Sequence, residues 1–286
     1  AATTAQAQFM DDFDDGAAAG RWSAPIVDAE FGTFDGQVDY AFDYGAAGIP
    51  AAPNGGGATG LRFIANMTDE TPNDEGEAIG IIANDAMMPD GDFTLKMDVY
   101  YFVDPASVDV ATEYVTLGAF AGVPFRFGVS DGNGLAWQVT GDGGSATDVV
   151  RYEDPGNANA GSQTNILSLD DIPFGTIPGV TTGGGNPNDP FEQFGFQNRW
   201  VTISMESSGG TIDYKINGVS LGDTFDNSGN TFSGGSIMVG LTDVFNSAAG
   251  SGVYTVIDNV MLTPEPSALM LLVMGACSLV GMRRRS

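Results

Sequence analysis

Any chemistry in this chain falls to carboxylates. Its 286 residues hold no histidine and a single cysteine, Cys277. That removes the usual general base, the usual zinc ligand and any Ser-His-Asp triad. What remains is oxygen, and oxygen-only ligation favours Ca²⁺. Asp258 is the most telling position. In an extended strand Tyr254, Val256, Asp258, Val260 and Leu262 share one face. A carboxylate among apolar neighbours needs an ion partner, hydrogen bonds or a metal. The run Phe9-Met10-Asp11-Asp12-Phe13-Asp14-Asp15-Gly16 supplies more carboxylates near the start. If the first and last strands are neighbours, Asp258 meets Asp12 or Asp14, and the three define a structural Ca²⁺ site with no other cofactor expected. The alternative is an Asp258 at a bulge or edge, facing water.

Other acidic patterns fit less well. Asp226, Ser228 and Asn230 have the early spacing of an EF-hand, but the twelfth position is Ile237 instead of Glu. Glycoside hydrolysis on a β-sandwich needs two carboxylates across a cleft, about 5–5.5 Å apart for retention or about 6.5–9.5 Å for inversion. No strand carries alternating acids; Glu75 and Glu77 are so spaced but lie in a polar loop. The expectation is therefore a non-enzyme. For binding, a sugar ring would stack on an aromatic face. Trp137 shares a face with Leu135 and Val139, and Trp200 opens an alternating strand, so both read as core. Trp22, after a Gly/Ala stretch, is the best exposed candidate for ligand contact.

The elements that position these residues are strands. The 41 glycines are about twice the usual share. Phe93–Val99 alternates cleanly and continues through Phe102, as does Trp200–Glu206, the pattern of half-buried antiparallel strands. Thr211–Ile216 returns after Gly209-Gly210, and Asn217-Gly218 starts another tight turn. Asp35-Gly36 predicts a hairpin joining Glu30–Phe34 to Gln37–Tyr44, and Asp131-Gly132-Asn133-Gly134 another joining Phe125–Val129 to Leu135–Val139. Leu61–Asn66, Ala78–Ala83, Tyr114–Phe120, Val149–Tyr152, Ile166–Leu169, Ser236–Leu241 and Val253–Leu262 complete about fourteen strands. Residues 45–60 read as a loop, and 170–198 as a long Gly/Pro/Asn loop. The fold class is all-β, a two-sheet antiparallel sandwich spanning 9–263. Residues 1–8 are the mature N-terminus or a signal-peptide remnant, since Ala5-Gln6-Ala7 resembles a small-x-small cleavage site.

The net charge is −27, and residues 1–263 carry 36 acids against 7 bases. Such a field repels nucleic acid and anionic lipid and suits divalent cations. With its one cysteine in the tail, the body has no disulfide.

The last segment reads differently. Pro264-Glu265-Pro266 precedes an uncharged apolar run from Ala268 to Met282, followed by Arg283-Arg284-Arg285-Ser286. As a helix, Ser267–Met282 spans roughly 24 Å at about 1.5 Å per residue, a little short of a ~30 Å hydrocarbon core. Arginines hold such a helix at a cytoplasmic membrane face. This three-part order resembles the PEP-CTERM sorting signal of exported bacterial proteins. The resemblance implies a transmembrane tail over 264–286, processing by an exosortase-type membrane protease, and delivery to the cell envelope or matrix, often in company with exopolysaccharide or biofilm. For the body, Trp200–Glu206 with Thr211–Ile216, then Gly240-Leu241 and Ile257-Asp258-Asn259-Val260, resembles the later half of concanavalin A-like, laminin-G-like jelly rolls, as does an opening strand beside the last. That implies a family in which many members bind glycans, some hydrolyse them and many scaffold. The expectation is a structural or glycan-associated envelope protein, with a calcium-dependent lectin as the alternative and a glycoside hydrolase third. A chain lacking residues 264–286 is expected to lose both processing and its destination, read by fractionation and by the mass of the recovered protein.

Overall fold

A computed structural model describes residues 9–29, 34–67, 76–104, 113–123, 133–141, 148–155, 162–167, 169–172, 175–180, 195–229, 231–243 and 252–265. The first strands are β1 (Phe9–Asp11), β2 (Ile26–Ala29), β3 (Gln37–Asp43), β4 (Thr59–Ile64) and β5 (Glu77–Met87). The middle of the chain gives β6 (Phe93–Val103), β7 (Tyr114–Val123), β8 (Asn133–Thr140), β9 (Val149–Pro155) and β10 (Ser162–Leu167). The last are β11 (Trp200–Ser208), β12 (Thr211–Ile216), β13 (Val219–Asp226), β14 (Ser236–Asp243) and β15 (Val253–Pro264). The described helices are one α-helical turn, Ala18–Arg21, and one 3-10 turn, Leu169–Asp171. No helix among the described residues is long and apolar enough to cross a membrane; the expected tail helix lies outside them.

Among the described residues every pairing between these strands is antiparallel, in two sheets. One runs β13-β12-β11-β6-β15-β4-β3, with β1 also on β15; the other runs β10-β9-β8-β7-β14-β5-β2. Alternation sets which side chains face the gap. On β6, Phe93, Leu95, Met97, Val99 and Tyr101 enter the central core, while Thr94, Lys96, Asp98, Tyr100 and Phe102 face outward. On the opposite sheet Leu135, Trp137 and Val139 meet them, with Trp137 fully buried as its neighbours predict. Arg151 also points into this gap and is held by Asp223 and, at 2.6 Å, by Glu153.

The expected neighbourhood of first and last strands forms, with Phe9 opposite Leu262 and Asp11 opposite Val260. The first strand of the hairpin expected at Asp35-Gly36, Glu30–Phe34, falls largely outside the described residues. β2 joins β5 and β3 joins β4, so the chain crosses between sheets there; residues 30–33 lie outside the described set. Phe125–Val129 also lies outside it, and β8 takes β7 as its partner, Leu117 opposite Trp137. β13 follows Asn217-Gly218 and was not anticipated as a strand.

Close sheet centres depend on missing side chains. A Cβ on Gly240 would sit 2.6 Å from the carbonyl oxygen of Ile79, backbone that cannot swing aside. Gly240→Ala is expected to lower stability by about 1–3 kcal/mol, seen as an earlier denaturation midpoint at unchanged slope.

Candidate functional site

The position singled out in the sequence lies where β15 breaks its own pattern. Asn259 adopts φ 52°, a left-handed conformation that asparagine tolerates better than most. The register against β6 shifts between Asp258 and Met261. Before the break Tyr254 and Val256 face outward; after it Val260 and Leu262 face the central core. Asp258 therefore does not share a face with Val260 and Leu262, contrary to the extended reading. It stands on the outer side of the sheet, beside Tyr254 and Val256.

It is nevertheless buried, at 1% exposure, because residues 44–58 fold over this face. Tyr44 and Ile49 from the flap pack with Ile64, Tyr100, Tyr254 and Val256 from the sheet, forming a second small core. Trp200, expected in the main core, belongs here instead, half-buried against Tyr44 and Tyr100, its Nε1 donating to the Pro50 carbonyl at 2.7 Å.

Beneath the flap Asp98 and Asp258 are direct cross-strand partners. Asp98 is fully buried and accepts four hydrogen bonds: from Asn54 N (3.0 Å), Asn54 Nδ2 (2.6 Å), Thr202 Oγ1 (2.7 Å) and Asn259 Nδ2 (2.9 Å). Asp258 accepts from Asn259 N at 2.7 Å and lies 2.9 Å from Tyr44 Oη, which in turn lies 3.1 Å from the Gly57 carbonyl oxygen. Asp14 presses against Gly57, where a Cβ would fall 1.8 Å from its carboxylate oxygens. Among the described residues no Lys or Arg forms an ion pair with Asp14, Asp98 or Asp258. Burial pushes the Asp258 carboxyl from 3.8 up to about 7; bonds from Tyr44 and the Asn259 backbone pull the other way, and Asp14 and Asp98 add repulsion.

Of the expected trio, Asp14 acts on Asp258. Asp12 does not join them; it turns into its own loop, accepting from Asp14 N at 3.4 Å. Asp98, unmarked in the sequence reading, takes its place. Among the described residues no three acidic side chains converge closely enough to hold a metal ion. Neutral hydrogen-bond donors meet both Asp98 and Asp258.

Trp22 is a correction. It is 2% exposed, stacked on Phe13 and edge-on to Phe9, with Nε1 donating to Asp11 at 2.7 Å. Arg21 grips the same carboxylate from Nε (2.8 Å) and a terminal nitrogen (2.6 Å). Trp22 is thus part of a structural clamp with no face for a ligand. Glu77, read as a loop acid, is buried at the start of β5 and accepts from the backbone of Asp35 and Asn66.

A cavity of about 380 Å³ opens at the end of the sandwich. Its walls are the β5–β6 connection (Asp90, Asp92), Phe93 and Phe120, the β11–β12 connection (Ser207, Gly210) and the β13–β14 connection (Asn227, Phe232). Phe120 meets Phe93 edge-on and Phe232 face-on. Asn227 fixes the last wall by bonding both the N–H and the carbonyl of Phe232. Among the described residues no Lys or Arg lines it. Phe93, Phe120 and Phe232 are themselves buried and close the floor of the cavity, so its open part offers carboxylate, amide and backbone groups, suited to a small neutral ligand rich in hydroxyls. Sequence reading missed it because its walls come from three connections far apart in the chain.

No family model matches the chain, and no curated protein matches it. Solved structures similar to it include a carbohydrate-binding module, CBM66, from Bacillus subtilis (14% identity, 85% of this chain and 95% of that one, TM-score 0.39). Others are the Emp47p carbohydrate recognition domain (10%, 93% and 99%, TM-score 0.45) and a Bacillus subtilis protein of unknown function with a galectin-like fold (10%, 91% and 97%, TM-score 0.48).

Asp258 carries a pH prediction. Its folded value exceeds its unfolded one, so its contribution is intact below about pH 4 and is lost as pH rises through about 7. Thermal melts should show stability falling across that window by about 2–4 kcal/mol, and Asp258→Asn should flatten that part of the profile.

Proposed function

We propose that this domain is a non-catalytic glycan-binding module that seats one neutral saccharide unit in the end cavity. The observation that carries the reading is the cavity lining: two carboxylates and an amide above a floor of three buried phenylalanines, with no basic group among the described lining residues. The hydroxyls of a sugar donate to Asp90 and Asp92, and its C–H groups rest against the apolar floor. The 380 Å³ volume falls within the ~300–1,000 Å³ of small-molecule sites. Acidic walls and an acidic body disfavour uronates and sulfated glycans. The two antiparallel sheets, with first strand beside last, support a concanavalin A-like reading of the fold.

Delivery is the second half of the proposal. Pro264, Glu265 and Pro266, with Arg283, Arg284 and Arg285, support export across the inner membrane. An exosortase-type protease would then hand the domain to the cell envelope or its exopolysaccharide.

The test is calorimetric titration with neutral oligosaccharides. Replacing both Asp90 and Asp92 by Asn is expected to weaken binding at least tenfold, about 1.4 kcal/mol, at unchanged melting temperature, whereas Phe232→Ala, which truncates a buried core ring, is expected to lower the melting temperature as well. Binding that survives EGTA removes the calcium-dependent lectin. Asp90 and Asp92 are two residues apart on the wall, so release of reducing sugar that Asp92→Asn abolishes would turn the reading to a hydrolase. A complete lack of saccharide binding sinks both.

A further inference from the structure

We propose, on the glycan-binding reading above, that the unit seated in the end cavity is an N-acetylated amino sugar, selected through its acetamido arm by Ser207. Val201, Ile203 and Met205 point from β11 into the central core, and Ser207 is the next residue in that alternation. It stands opposite Ile212, another core residue, is 7% exposed and lines the cavity. A hydroxyl therefore occupies a place where the strand's own pattern calls for an apolar side chain. That hydroxyl has no hydrogen-bond partner among the described residues. Leaving a buried polar group without one is costly. A ligand that reaches Ser207 displaces water and must supply the missing bond.

The lining is graded in depth. Asp90 is exposed and Asp92 half-buried, so carboxylates stand at the rim. Ser207 is set deeper, and Phe93, Phe120 and Phe232 close the floor. Hydrogen-bonding capacity is graded in the same direction. Carboxylates only accept. Asp92 Oδ1 lies 3.5 Å from the Gly210 N–H, which leaves Oδ2 for a ligand. Asn227 spends both ends of its amide on the backbone of Phe232. Ser207 is then the buried side-chain donor of the lining. From rim to floor the order is acceptor, donor, apolar surface.

An acetamido arm is complementary in that order. Its N–H donates to Asp92, its carbonyl accepts from Ser207 Oγ, and its methyl rests on the phenyl floor. A hydroxymethyl arm runs the other way, with its carbon next to the sugar ring and its hydroxyl at the tip, against the phenyl rings. A sulfate or carboxylate arm is repelled by Asp90 and Asp92. The ammonium of a deacetylated sugar would stay with those carboxylates at the rim, leaving Ser207 and the floor unfilled.

Calorimetric titration of the intact chain with N,N′-diacetylchitobiose, cellobiose and the fully deacetylated disaccharide tests this, since the three share one linkage and differ in the 2-substituent. The acetylated form is expected to bind tighter than cellobiose by about tenfold or more, because a ring hydroxyl meets neither the buried donor nor the floor. Ser207→Ala should bring the two within about threefold, with cellobiose affinity and melting temperature unchanged. Saturation-transfer NMR on the unaltered chain reads the same contact without a variant: the acetyl methyl protons should receive the largest share. Equal binding of the acetylated and hydroxyl forms overturns the inference and leaves the glycan-binding reading standing. So do tighter binding of the deacetylated form, a preference that survives Ser207→Ala, and saturation centred on the ring protons. Binding of no saccharide at all removes both.

Discussion

The arrangement of β15 depends on one backbone conformation. At Asn259 the chain enters the left-handed region and the strand slips against β6. The break sits where β15 changes partners on its other edge, from β4, which pairs Thr255–Ile257, to β1, which pairs Val260–Leu262. A strand with unbroken alternation would place Asp258, Val260 and Leu262 on one side, either burying a carboxylate between the sheets or exposing two aliphatic side chains. The bulge sends the acid to one face and the aliphatics to the other. Its side chain completes the device by donating to Asp98 and sitting under Gly55, where any Cβ would strike it at 2.6 Å.

That solution fits a chain with a large surplus of acids. Bases are too few to pair with them, so buried carboxylates are met by neutral donors. Asp98 takes amide, hydroxyl and backbone N–H groups. Glu77 takes two backbone N–H groups at the entry to β5. Two of the guanidinium groups tie acids together: Arg21 closes the first turn onto Asp11 and Asp15, and Arg151 links the two sheets through Asp223. Burying a carboxylate without such donors would cost several kcal/mol.

Much of the fold was legible as alternation. β6, β11 and β12 follow their apolar periods, and β1 lies against β15 as expected. The failures have local physical causes. β13 alternates weakly apolar residues with polar ones, so its edge position hides it. Trp22 looked exposed because its neighbours are small; the partners that bury it, Phe9, Phe13 and Asp11, lie about ten residues earlier. Asp258 was legible as a residue needing satisfaction, but the means were not, since Asn54, Tyr44 and Thr202 reach it and Asp98 from segments distant in sequence. The cavity was not legible at all, being assembled from connections.

The far end of β15 has a mechanical meaning. Pro264 lies opposite Phe93, and the next residue, Glu265, donates its N–H to the carbonyl of Asp92 at 2.8 Å. Phe93 and Asp92 are cavity walls. Tension on the chain beyond Glu265 would enter the domain through a strand held along both edges, pulled lengthwise so that its rungs resist in parallel. Phe93 in turn packs edge-on against Phe120 of the opposite sheet, so the same load reaches both layers at the rim of the cavity.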